Sequence, residues 1–455
     1  LCEAVLDQPG AATTLAALAR SNLLLVPLDR RGEWYRYHHL FRDMLLAELN
    51  RREPDLIPAL QRRAADWCAR NGLPEEALGY SMAAGDVDTA AGLVENLAVP
   101  AFWQGRVTTV QRWFRWLEER GELERHPMAA VEAAIIAALT GRPVDAERMA
   151  EMVDRWQYGN PGRPEHPFAE AWAALMRAMF CRRGAKQMLS DADEAARTFA
   201  ALGIPAPALT QGVARVLSGD PEGADAFFQD AVHVAGETGS MSDTALALSE
   251  RSLLAMASSE WDQAADLAEQ ARTVLHGGRI EESFAVPVLC AVQARVAVHR
   301  GDIPAVHREL VTAQRLRPLL TYALPHLAVQ ARIELVRACI AVADVEGART
   351  LMREIDELLR RRPGLGTLAG EAQELRAQLS KLRSQGIPGA SALTGAELRL
   401  LPMLDTHLTF PQIAEQLSLS RYTVKAQASS IYRKLGASSR NQAVMRAREL
   451  GLLGG

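Results

Sequence analysis

Residues 409–435 read TFPQIAEQLSLSRYTVKAQASSIYRKL, and this stretch decides how the C-terminal end of the chain folds. Thr409-Phe410-Pro411-Gln412 predicts a helix start in the form of a capping box, with Pro in the first turn, where its missing N–H is not needed. The helix spans 410–417, and only Ser418-Leu419-Ser420 separates it from the next, which Ser420 caps. Two short helices across a three-residue turn make helix-turn-helix geometry. In the second of them Val424, Ala428, Ile431 and Leu435 fall at i, i+4, i+7 and i+11, which predicts one buried face. The opposite face carries Tyr422, Ala426, Ser429 and Arg433, flanked by Lys425 and Ser430. Between Arg421 and Arg440 there are five cationic residues and no acidic one. Small polar groups edged by cations fit a DNA major groove, with the long cations reaching phosphates.

Outward from this pair, Thr394-Gly395-Ala396-Glu397 predicts another capping box and a preceding helix, and Ser439-Arg440-Asn441-Gln442 opens a fourth. Residues 384–391, SQGIPGAS, cannot continue a helix and are expected to be a flexible linker. Charge divides at the same place. The chain as a whole carries -4, but residues 386–455 hold eight Lys/Arg against four Asp/Glu, leaving -8 on the first 385 residues. A basic end on an acidic body is the footprint of a nucleic-acid module joined to something else.

Upstream, between about 55 and 383, an apolar helix, a Gly- or Asp-centred turn and an Ala-rich helix recur. Turn positions 141, 184, 219, 259, 301 and 343 are separated by 43, 35, 40, 42 and 42 residues. Gly suits the left-handed end of one helix, and Asp caps the next. The period is that of stacked helix pairs, longer than the ~34 residues of a standard TPR. A TPR-like α-solenoid with a concave surface is expected. Ahead of it, Leu23 to Leu28, a turn at Asp29-Arg30-Arg31-Gly32, and Trp34 to His38 read as strand, turn, strand, followed by a helix from Leu40 to Leu49. The fold class is therefore mainly all-α: a small winged-helix-like α/β hairpin segment over 1–54, a TPR-like solenoid over 55–383, a linker over 384–392, and a four-helix helix-turn-helix domain over 393–455.

The residues exclude several functions. At 455 residues, 48% hydrophobic and 23% charged, the composition is that of a multidomain globular protein. No run approaches the ~18 apolar residues of a membrane span. Cys2, Cys68, Cys181, Cys290 and Cys339 are scattered, which predicts reduced thiols and a cytoplasmic location. The chain lacks a GxxxxGK[ST] phosphate loop and any GxSxG or HExxH constellation, so no enzyme activity, cofactor or metal is expected. His38-His39 lacks spaced partners for a metal and is assigned to hairpin packing. Trp103, Trp113 and Trp116 with Phe102 and Phe114 cluster around Arg112 and Arg115. Solenoid packing is favoured there over a ligand groove.

Residues 393–453 strongly resemble the LuxR-type DNA-binding domain. The resemblance rests on Leu393-Thr394, Glu397, Ile413-Ala414, Leu417, Ser420, Thr423-Val424-Lys425, Lys434-Leu435-Gly436, Ser439-Arg440 and Ala443-Val444. It implies promoter binding with the third helix in the major groove, Lys425, Ala426 and Ser429 facing bases, and Lys434 and Arg440 on the backbone. Arg421, Tyr422, Thr423 and Arg433 complete the expected DNA-binding set. Gln427, Pro402 and His407 depart from the common pattern, and Pro402 is expected to interrupt the first helix. EWYRYHHLFRDMLLAEL (33–49) and NGLPEEALGYSMAAGD (71–86) resemble the MalT-like branch, whose repeats follow an ATPase and bind a small inducer. A chain without an initiator Met is then expected to be the C-terminal portion of a longer regulator. Double-stranded promoter DNA is the expected partner, with a small-molecule inducer or protein on the solenoid and RNA polymerase as further candidates. The competing reading is a helical-repeat adaptor that does not read DNA.

Overall fold

All six turn positions marked by the repeat spacing break their helices in the left-handed region, with φ of 72°, 86°, 88°, 64°, 70° and 59° at Gly141, Gly184, Gly219, Ser259, Gly301 and Ala343. Gly adopts this conformation freely, whereas Ser259 and Ala343 hold it against the Cβ repulsion that normally excludes it. Asp supplies the next start as expected: Asp220, Asp302 and Asp344 accept from the N–H groups of Gly223, Ala305 and Gly347 at 3.0, 3.0 and 2.9 Å. Such caps contribute about 1 kcal/mol each.

The computed structural model describes residues 1–21, 25–29, 35–159, 166–204, 207–278, 282–381, 393–450 and 452–453. The expected linker over 384–392 and the turn residues Arg30 to Gly32 lie outside the described residues. The chain divides into two compact units, 1–133 and 134–455.

The first unit begins with α1 (Cys2–Leu6) and α2 (Ala11–Arg20), then strands β1 (Leu25–Pro27) and β2 (Tyr35–Tyr37). The strands pair antiparallel, Leu25 opposite Tyr37, forming the expected hairpin. Helices α3 (His39–Arg52), α4 (Leu56–Arg70), α5 (Pro74–Ala84), α6 (Val87–Trp103) and α7 (Val107–Glu118) follow. His38 and His39 are both exposed, their rings 4.4 Å apart, so hairpin packing does not describe them. Trp113 and Phe114 are buried in the packing of α7, while Trp116 lies under the Arg120 guanidinium at 4.0 Å. The unit boundary falls inside α8 (Pro127–Leu139).

The second unit stacks antiparallel helix pairs: α9 (Pro143–Gly159) against α10 (Pro167–Phe180), and α10 against α11 (Ala185–Ala201). The next pairs are α12 (Ala208–Leu217) with α13 (Pro221–Thr238) and α14 (Met241–Ala257) with α15 (Trp261–Gly277). Then come α16 (Ala285–Arg300) with α17 (Ile303–Leu316) and α18 (Pro325–Ala341) with α19 (Val345–Arg361), closed by α20 (Thr367–Lys381). Alanines at the contacts are fully buried, among them Ala171, Ala245, Ala291 and Ala328, and let the backbones approach closely.

The array coils onto itself. Arg362 pairs with Glu147, 215 residues away, and the Thr367 hydroxyl donates to the Val216 carbonyl, 151 residues away. The Ala185 N–H donates to the Gly364 carbonyl at 2.9 Å. At Gly366 a Cβ would stand 1.7 Å from the Leu217 carbonyl oxygen, so only glycine fits this crossing. Helices α14, α16 and α18 lie inside the array and bury residues on nearly every side.

Polar side chains in that filled interior need partners. The Gln330 amide donates to Glu250 at 2.8 Å, and Glu334 lies 3.4 Å from Arg295 and pairs with Arg337. Burial pushes the Glu250 carboxyl up to about 7 and the His326 imidazole down to about 4. Folded protein holds a proton on Glu250 that unfolded chain releases, so this contribution to stability is full below pH 4.5 and is lost as pH rises through 7. His326 acts oppositely: its contribution is present above pH 6.5 and is lost as pH falls through 4. The two slopes oppose each other where their windows overlap. Glu250→Gln should remove the first alone, so that unfolding free energy rises more steeply from pH 5 to 7 than in the parent. Urea titrations at half-unit pH steps check this, and parallel profiles would refute it.

Candidate nucleic-acid interface

Four helices close the chain: α21 (Gly395–Leu404), α22 (Phe410–Gln416), α23 (Arg421–Leu435) and α24 (Arg440–Glu449). Their starts follow the local chemistry of the sequence. Thr394 and Glu397 form the reciprocal box, with Glu397 N–H on the Thr394 hydroxyl at 3.3 Å and Thr394 N–H on the Glu397 carboxylate at 2.7 Å. Gln412 accepts from the Thr409 N–H at 2.8 Å, and Ser420 accepts from Thr423 N–H at 3.0 Å. The turn between α22 and α23 is closed by Leu419 N–H on the Ala414 carbonyl at 2.8 Å, with Ser418 at φ 52°. Contrary to expectation, α21 runs through Pro402 to Leu404 without interruption.

A shared core fixes the attitude of α23. Val424, Ala428, Ile431 and Leu435 are all buried, against Leu398, Leu401, Ile413 and Ala443 from the other helices. The helix therefore turns its remaining face outward: Arg421, Tyr422, Lys425, Ala426, Ser429 and Arg433 are exposed, Tyr422 to 82%. Arg421, Lys425 and Arg433 have no acidic partner among the described residues. Cations left unpaired beside small side chains keep their full charge available to an anionic surface.

Three residues expected on that surface are engaged elsewhere. Thr423 is half-buried, its hydroxyl 2.7 Å from that of Ser420 within the cap. The Lys434 ammonium lies 2.7 and 2.9 Å from the two carboxylate oxygens of Glu397. Although burial acts upward on the Glu397 carboxyl, hydrogen bonds from Lys434, the Thr394 N–H and Ser430 hold it below its ordinary value. One carboxylate thus ties the start of α21 to the end of α23. Arg440 donates to four backbone carbonyls, those of Leu404, Leu408, Met403 and Thr406, at 2.7 to 2.9 Å. These include last-turn carbonyls of α21 that have no partner within the helix. Lys434 and Arg440 thus have positioning partners inside the fold. The sequence reading missed Glu397 as the counterpart of Lys434, although its place in the capping box marked it.

Among the described residues no group of His, Cys, Asp and Glu is arranged to hold a metal, and no helix is long and apolar enough to cross a membrane.

Residues 391–447 match the family of bacterial regulatory proteins described as the luxR family, and residues 1–57 match the MalT winged helix domain. With the helical repeats between them, these two ends match a MalT-like LuxR-type regulator, and the matched families are regulatory DNA-binding domains. The chain is also similar to the serine/threonine-protein kinase PknK of Mycobacterium tuberculosis strain H37Rv, with 32% identity over 111 residues, 22% of this chain. The same identity and coverage hold for the PknK proteins of M. tuberculosis strain CDC 1551 and of Mycobacterium bovis. The match spans 10% of the length of these curated relatives.

Proposed function

We propose that this chain, a MalT-like LuxR-type regulator by its matched ends, binds promoter DNA sequence-specifically by laying α23 in the major groove. The exposed face of α23 carries this reading. Lys425, Ala426 and Ser429 face base edges, Tyr422 borders them, and Arg421 and Arg433 contact phosphates at the margins. DNA reading resides in 393–455. The helical repeats over 55–383 act as the sensor for a small-molecule inducer or partner protein, and RNA polymerase is a further partner at the promoter. The winged-helix-like segment covers 1–54. The protein acts in the cytoplasm without catalysing a reaction.

Lys425→Ala should cost about 1–3 kcal/mol on the preferred site and relax base choice at one position. Arg433→Ala should weaken preferred and random DNA alike and reduce the salt slope by about 0.9. Selection from a randomised duplex library, with titrations at several salt concentrations, measures both. A library that yields no preferred sequence would leave the helical-repeat adaptor as the better reading.

A further inference from the structure

Within the second unit, the start of α21 meets the last repeats across a cavity of about 330 Å³. Its floor is a buried charge cluster of one carboxylate between two guanidinium groups. Glu354 accepts from Arg332 at 2.8 Å and from the Gly395 N–H at 2.5 Å, and Arg317 lies 3.1 Å away. Its walls are different. Tyr322, Arg353, Glu357, Arg361, Ala396 and Arg399 line them, three cations against one carboxylate. Arg361 is shared between Glu357 at 2.9 Å and the Tyr322 ring at 4.7 Å. Among the described residues the Arg353 guanidinium bonds to the Thr350 hydroxyl at 3.0 Å and the Arg349 carbonyl at 3.4 Å. Arg399 makes no hydrogen bond or ion pair with a described residue. Desolvation lowers its pKa, and the charge of Arg361 pushes the same way, against Glu354 and Tyr322.

Two solvent-exposed guanidinium groups at the mouth of the cavity, Arg353 from α19 and Arg399 from α21, have no carboxylate partner among the described residues and are joined by a third, Arg361, that rests on an aromatic ring. Arg prefers planar, two-pronged contact with carboxylate or phosphate oxygens, and the volume lies in the range of small-ligand sites, roughly 300–1,000 Å³. We propose that this cavity binds a small organic anion bearing a phosphate or carboxylate group, held jointly by Arg353 and Arg399, with Tyr322 flanking its less polar part. Because the two arginines lie on opposite sides of the junction, the bound anion fastens α21 to the repeat array. Its effect on DNA affinity rests on the DNA reading above; its binding does not.

The test uses the full chain and two probes, inorganic phosphate and succinate, at ionic strength held constant with chloride. Thermal unfolding should shift upward and saturate with at least one probe, and the two arms distinguish phosphate from carboxylate recognition. Arg399→Gln and Arg353→Gln should each weaken the apparent affinity about tenfold or more. Arg446→Gln, which alters a cation paired with Glu449 on α24, should leave it unchanged. Far-UV circular dichroism confirms that each variant is folded, and Arg353→Gln serves if Arg399→Gln is not. A rise that never saturates, an equal response in all three variants, or no response to either probe overturns the site. Probe binding that survives in a chain shown not to bind DNA would leave the cavity assignment standing while the DNA reading fell.

Discussion

Arg440→Ala is expected to melt the C-terminal helices, not merely to weaken their hold on DNA. Four carbonyl oxygens, at the end of α21 and along the loop that leads to α22, share this one guanidinium, at 2.7 to 2.9 Å. Removing it takes the side-chain donor from all four: Met403 keeps the Thr406 N–H and hydroxyl, while the half-buried carbonyls of Leu404 and Leu408 lose the partner that closes the loop over α21. The expected loss is about 2–3 kcal/mol, the range for part-buried hydrogen bonds to a charged group. Against a typical total of roughly 5–15 kcal/mol, that is enough to unfold a small helical domain well below its normal midpoint. Arg440→Lys should rescue little, because a single ammonium cannot reach four acceptors arranged around a planar fork. Circular dichroism melts of the variant decide the matter. A side chain that served only a phosphate would leave the melt unchanged and lower the salt slope of DNA binding by about 0.9.

Glu354→Gln should loosen the C-terminal helices from the repeat array. The substitution keeps an oxygen for the Gly395 N–H but leaves Arg317 and Arg332, 3% and 6% exposed at the side chain, without a counter-charge. Arg317 also donates to the Leu393 carbonyl at 2.8 Å, so it reaches the C-terminal helices directly. Unpairing buried cations costs about 3–5 kcal/mol. Both Arg317 and Arg332 belong to the repeats, so the array itself is destabilised along with the junction. Calorimetry should show the unfolding of the second unit broadening or splitting, with a transition for residues 393–453 separated from that of the repeats. A single sharp transition at the parental midpoint would show that the cluster does not hold the junction. Glu354→Asp, which keeps the charge on a shorter arm, should fall between parent and Gln.

Local chemistry made much of this molecule legible. The six left-handed turns, the Asp caps, the two boxes at Thr394 and Thr409 and the buried stripe Val424, Ala428, Ile431 and Leu435 depend on residues within a few positions of one another. Sequence spacing reports such relations directly. The partners that Lys434 and Arg440 have inside the fold were not legible, because they lie 32 to 37 residues away. Periodicity says which face of α23 is turned inward, but a cation at the border of that face is assigned only by what the neighbouring helix brings near it. The same limit applies to the interior of the array, where Glu250 meets Gln330 across 80 residues, and to the charged junction around Glu354. His38 and His39 show the converse: without spaced metal partners they were assigned to packing, and the hairpin left them in solvent.

The crossings at Gly366 and Ala185 constrain the repeats in a way that an open stack would not. A linear array can gain or lose a unit at little cost, since each unit meets only its neighbours. Here Glu147 must stand opposite Arg362 and Leu217 opposite Gly366, so the loop before α20 is keyed to α9 and to the ends of α11 and α12. Inserting or deleting one helix pair between those points would rotate every later loop off its mate, and the carbonyl of Leu217 would then confront a residue other than glycine. Copy number, freely variable in most repeat proteins, is in this chain as fixed as the number of strands in a closed barrel.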